Sequence, residues 1–103
     1  MMLLTTESVS GKELKHLGLV QGSVVKTKSI GKDFKAIGRS ILGGEIQDYT
    51  DLLKDARVIA TERMTQEATD LGADAVIAIR YSTSSIMDAA SEVMVYGTAV
   101  KFI

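Results

Sequence analysis

A chain of 103 residues with one histidine and no cysteine has few chemistries open to it. Thiolate nucleophiles, thiolate metal sites and disulfides are excluded. His16 is the one imidazole, so a nucleophilic triad has a single candidate base, and no G-x-S-x-G elbow occurs. His16 is also the one borderline ligand for a transition metal, and a site built on it needs His16 side chains from several copies gathered around an axis. The five methionines suit mainly Cu(I) and show no ligand spacing. Asp48, Asp51 and Asp55 are three and four residues apart, the spacing of one helix face, and could draw a hard cation. Such a cation needs several more oxygens, so an exposed acidic helix start is the plainer reading. Lys26, Lys28, Lys32, Lys35 and Arg39 cluster around a short glycine-flanked segment, where a helix N-terminus would welcome an anion. Neither Gly31-Lys32 nor Gly43-Gly44 forms a phosphate-binding fingerprint. Tyr49 follows Gly43-Gly44 and is the candidate polar aromatic. Its alternative is a packed tyrosine with a satisfied hydroxyl. The candidate ligand-binding set is therefore Tyr49, Lys32, Lys35 and Arg39, with His16 as the candidate metal residue and no catalytic set.

The totals exclude more than they assign. Hydrophobic residues make up 46% and charged residues 24%, as in ordinary globular domains, and the length suits one domain over 1–103. A net charge of −1 favours neither nucleic acid nor membrane as a partner, and five Phe and Tyr offer little to stack bases on. The longest apolar run, Ala75 to Ile79, is far short of the roughly 20 residues of a membrane span. Met1 to Leu4 lacks a basic lead, so no signal peptide is read and a cytoplasmic location is expected. Charge is unevenly spread: residues 1–44 carry a balance of +4 and residues 45–103 a balance of −5. Solvated faces explain most of this, and head-to-tail complementarity between copies is the sharper reading.

The elements that must position these residues follow from periodicity. Proline is absent, so glycine punctuates the chain. Met2 to Leu4 reads as a short strand closed by Thr5-Thr6. Lys15–Gln21 and Ser23–Lys28 read as two strands, or as one strand bent by a bulge at Gly22. Ser29 to Leu42 carries Ile30, Phe34, Ile37, Ile41 and Leu42 at helical spacing and ends at Gly43-Gly44. The main helix spans about Gln47 to Leu71, with Asp48 as N-cap and Gly72 as C-cap. Its stripe is Leu53, Ala56, Ala60, Met64, Ala68 and Leu71, widened by Leu52 and Ile59. Arg63 and Glu67 pair on its flank. Ala75 to Tyr81 is a strand buried on both faces at its start. Ser82 to Ala90 reads as a polar hairpin loop, and Glu92 to Phe102 as the last strand. In that strand Val93, Val95, Gly97 and Ala99 share one face. Met94, Tyr96, Thr98, Val100 and Phe102 share the other. One layer of helices covers one face, so the second face must meet another surface, and a second subunit is the simplest.

These segments resemble the YbjQ-like family of small bacterial and archaeal proteins, labelled heavy-metal-binding and without an assigned function. The resemblance rests on Thr5-Thr6, Asp33-Phe34, Gly43-Gly44 followed by Tyr49, Ala56-Arg57, the run Ala68 through Leu71-Gly72-Ala73-Asp74-Ala75-Val76, and Gly97-Thr98-Ala99-Val100. It spans nearly the whole chain. It implies an α+β fold with a β-α-β-β core, related to the dodecin-like fold. One long helix packs on an antiparallel sheet, with a short extra helix. It also implies a ring-shaped homo-oligomer, a pentamer, and a possible metal ion as ligand. No catalytic residues carry over, and Gly43, Gly44, Gly72 and Gly97 take structural roles. The function expected is non-enzymatic binding of a small ligand or metal ion. The alternatives are a scaffold that displays the Ser82–Ala90 segment or the basic helix to another protein, and an enzyme using Lys32, Lys35 or Arg39 with Tyr49 on an anionic metabolite.

Overall fold

The computed structural model describes residues 1–27, 47–88 and 90–103. The Ser29–Leu42 helix, its Gly43-Gly44 stop and the basic residues Lys32, Lys35 and Arg39 lie outside the described residues. Strand β1 (Met2–Leu3) is followed by β2 (Leu14–Thr27), helix α1 (Gln47–Asp70), β3 (Ala75–Met87) and β4 (Ala90–Phe102). The sheet order is β1-β3-β4-β2. Strand β4 pairs antiparallel with both β3 and β2, and β1 adds a short parallel pair at the β3 edge.

Helix α1 lies across β2 and β4 because its inward stripe is small. Ala56, Ala60, Met64 and Ala68 are fully buried against Val20, Val24, Val76, Val93, Val95 and Ala99. Three alanines let the helix axis approach the sheet, and Gly22 completes that approach. A Cβ there would meet the Ala60 carbonyl oxygen, and would sit 2.5 Å from the Met64 nitrogen and 3.0 Å from the Arg63 Cβ. Gly22 is thus a helix-contact position in a regular ladder opposite Val95, not the expected bulge. The irregularity in β2 falls between His16 and Gly18, where Gly18 takes φ +130°.

Helix α1 ends in a Schellman motif. Gly72 at φ +81° donates to the Thr69 carbonyl at 2.9 Å, and the Ala73 N–H donates to the Ala68 carbonyl at 3.1 Å. Asp74 then fastens the junction to the sheet. Its Oδ2 accepts the Phe102 N–H at 2.8 Å, and Lys101 Nζ donates to the Gly72 carbonyl at 3.1 Å. Leu71 is half exposed, so the cap residue leaves the stripe that the 3.6-residue period assigned to it. Asp48 falls within the helix rather than at its N-cap. Arg63 and Glu67 reach β2: Arg63 Nη1 donates to the Ser23 carbonyl at 2.7 Å, and Glu67 Oε1 accepts the Gln21 N–H at 3.4 Å.

The second face of the sheet is covered at one end. Val9, Ala75, Ile77 and Val100 form a small buried cluster, flanked by Leu4, Leu14 and Phe102. At the other end Leu19, Val25 and Tyr96 stay exposed, as the two-faced pattern of β4 requires. In β3, Ile77 faces Thr98 and Arg80 faces Tyr96, so Ala78 and Ile79 form a bulge against Gly97. Ala78 takes φ +53°, unusual for a residue with a side chain. Gly97 has no room for a Cβ, which would lie 2.7 Å from Val76 Cγ1 and 2.9 Å from the Ile77 carbonyl oxygen. The expected Ser82–Ala90 loop is instead strand. β3 runs to Met87 with Ser82 opposite Met94, Thr83 opposite Val93 and Ser84 opposite Glu92. Ladder hydrogen bonds to β4 outweigh the loop propensity of serine, because β4 supplies a regular partner across the whole arm.

Candidate functional site

A groove of about 530 Å³ opens between α1 and β3, lined by Lys54, Arg57, Val58, Thr61, Glu62 and Tyr81. Lys54, Arg57, Val58 and Thr61 follow each other at helical spacing along the flank of α1 beside its buried stripe. Tyr81 enters from β3, just past the bulge. A hydrogen bond joins the two walls, where Thr61 Oγ1 and Tyr81 Oη lie 2.8 Å apart. Thr61 Oγ1 also donates to the Arg57 carbonyl at 2.7 Å, which leaves the phenol as the partner able to donate to Thr61. Val58 and the Tyr81 ring are both about half exposed and give the groove an apolar floor. Lys54 and Arg57 bring two cations to its rim, and Glu62 one carboxylate. The arrangement suits a small anion with an apolar body: guanidinium and ammonium for the charge, ring and isopropyl for the rest.

The candidates from sequence are dispersed. His16 is exposed on β2 opposite Val100, away from this groove. Tyr49 is half-buried in the first turn of α1 and does not line the groove. Asp51 and Asp55 are exposed on α1, and among the described residues no three His, Cys, Asp or Glu side chains gather as a metal site. Gly72 closes the C-terminal motif of α1, and Gly97 is a close-approach point of β4. Arg57, Thr61 and Tyr81 were not singled out as a site. One signal was available, since Val58 stands outside the apolar stripe of α1 and Tyr81 is the lone aromatic at the end of an apolar strand.

The comparisons agree with this fold. A family model described as "putative heavy-metal-binding" (YbjQ) matches residues 1–103. A UPF0145 protein of Clostridium novyi is 52% identical over 103 residues, covering all of both chains. A UPF0145 protein of Thermotoga petrophila is 54% identical over 102 residues, covering 98% of this chain and 96% of its own. A crystal structure from Pediococcus pentosaceus, a protein of unknown function in the DUF74 family, superposes with a TM-score of 0.66 at 16% identity and covers 100% of this chain and 98% of that one. That likeness speaks to fold, while the family match and the full-length relatives speak to descent: the chain belongs to the YbjQ family of uncharacterised UPF0145 proteins.

Proposed function

We propose that this chain is a non-enzymatic binding protein that works as a homo-oligomeric ring and takes a small anionic ligand in the groove of α1. The observation that carries the reading is the pairing of Lys54 and Arg57 with the Tyr81 ring and Val58 on one open surface. It offers charge and apolar contact to one ligand on the same open surface. Self-assembly is supported by the half-covered second face of the sheet, where Leu19, Val25 and Tyr96 meet solvent in the single chain. Five copies is the number the family resemblance implies, and the cytoplasm is the location expected from the sequence.

A metal reading draws support from the family description. In this chain it requires donors from several copies, with His16 brought to a common axis.

Native mass spectrometry of protein purified without tag or added metal tests both. A ring-sized mass carrying a bound organic species, lost in Arg57→Ala, supports the anion reading. Bound metal lost in His16→Ala supports the metal reading and displaces the first. A monomer in dilute solution overturns the ring.

A further inference from the structure

The groove of α1 has a direction that a simple anion does not use. Its outer row is Lys54, Val58 and Glu62, each one helical turn from the next, and its inner wall is Arg57, Thr61 and Tyr81. Both cations therefore stand at one end and the carboxylate at the other. At about 1.5 Å per residue, Glu62 lies about 7.5 Å along the axis from Arg57 and about 12 Å from Lys54. Neither spacing is that of an i,i+3 or i,i+4 ion pair. Among the described residues the Lys54 ammonium, the Arg57 guanidinium and the Glu62 carboxylate have no hydrogen-bond or ion-pair partner. The inner wall adds a third group. The phenol hydrogen of Tyr81 goes to Thr61 Oγ1 at 2.8 Å, so Tyr81 Oη meets the groove as an acceptor. Thr61 stands between Arg57 and Glu62 along the helix, which places this acceptor between the cationic and anionic ends. For an anion alone Glu62 is a liability, because it stands within the Debye length of about 8 Å at physiological ionic strength. For a ligand with a positive far end it is a second anchor.

We propose that the ligand of this groove is a short apolar peptide, two or three residues long, with both termini free. The assignment rests on the anion reading above and deepens it, since the anionic group becomes the peptide's terminal carboxylate, held by Lys54 and Arg57. The ammonium at the other end meets Glu62, a peptide N–H donates to Tyr81 Oη, and apolar side chains lie on Val58 and the Tyr81 ring. Length follows from the spacing of the charges. An extended chain advances about 3.3–3.6 Å per residue, so two or three residues span about 7–11 Å, and a single amino acid leaves its ammonium short of Glu62. An aliphatic carboxylate fills the floor and satisfies the cations, but it leaves Glu62 and Tyr81 Oη unused. Glu62 is exposed, so its pairing with an ammonium has the modest strength of a surface ion pair. It selects among ligands more than it holds them.

Calorimetric titration at low salt with leucyl-leucine, N-acetyl-leucyl-leucine and hexanoate tests the assignment. The three probes share a carboxylate and an apolar body, and only the first carries an ammonium. Leucyl-leucine is expected to bind about two- to fivefold tighter than its N-acetyl form, the range a surface ion pair supplies. Glu62→Gln should bring the two peptides level, and Glu62→Lys should reverse their order. Both substitutions are at an exposed position, and circular dichroism should show the fold unchanged. Arg57→Ala should abolish binding of all three. If the two peptides bind the native chain alike, if their order survives Glu62→Gln, or if hexanoate alone binds, the peptide assignment is overturned. The anion reading then stands so long as Arg57→Ala still abolishes binding. Failure of all three probes to bind, or binding indifferent to Arg57→Ala, overturns both.

Discussion

Over Ala75–Ile79, β3 is walled on both faces and has β1 and the 4–6 segment along its edge, while over Tyr81–Met87 every side chain is exposed and no described backbone group bonds the outer edge. The backbone partner is the same throughout, since β4 pairs with both halves. Only what lies on the faces and the outer edge differs. Hydrogen bonding to β4 is therefore enough to extend a strand, and stability is decided by what packs on it. The covered half belongs to the monomer. The bare half has the composition of a surface kept for contact.

Substitutions should divide along that boundary. The largest effect is expected of Gly22→Val, where added carbons collide with the backbone of α1 at Ala60 and Met64. Helix and sheet cannot both keep their places, and the cooperative thermal transition should disappear. Met64→Ala empties the centre of the buried cluster and should cost about 2–5 kcal/mol in urea denaturation. Gly97→Ala presses a methyl on Val76 and Ile77 at the bulge, at about 1–3 kcal/mol. Gly72→Ala keeps open space around the new methyl but forces a left-handed backbone on alanine, at about 1–2 kcal/mol. Thr83→Ser in the bare half should change stability by less than about 0.5 kcal/mol. A loss above that in a dilute, dissociated sample would mean the arm is supported within the monomer after all, and would erase the contrast.

Much of the covered half was legible in the sequence. The stripe Ala56, Ala60, Met64, Ala68 repeats at the helical period because one face of α1 meets the sheet, and Leu71-Gly72-Ala73-Asp74 carries a complete cap and its anchor in four residues. The even and odd residues of β4 separated correctly, since both of its neighbours hold it in one register from Ser91 to Tyr96. The bare half was less legible. Ser82 to Ser85 lacks apolar alternation because neither of its faces is buried within one chain, and without burial a strand writes no period. Gly22 was read as a break because a glycine in a strand looks the same whether it bends the chain or admits a helix. The groove at Tyr81 was hidden for a different reason. Its walls lie 20 residues apart in sequence, at Thr61 and Tyr81, and only the crossing of α1 over the sheet brings them together.

The bulge at Ala78 and Ile79 has a consequence for the faces of β3. Before it, the even-numbered Val76 points to α1 and the odd-numbered Ala75 and Ile77 point away. After it the parity is exchanged, and the odd-numbered Ile79 and Tyr81 are on the α1 side. One inserted residue sets the phase of the strand from there to Ser85, where a second register shift follows. Loss of Ala78 alone would restore the alternation and turn the arm over, carrying Tyr81 away from Thr61 and exchanging the two surfaces of the strand without altering the residues that compose them. The groove of this protein is thus encoded partly as a count, and a single-codon deletion well inside a strand could remove it while every residue that lines it remains.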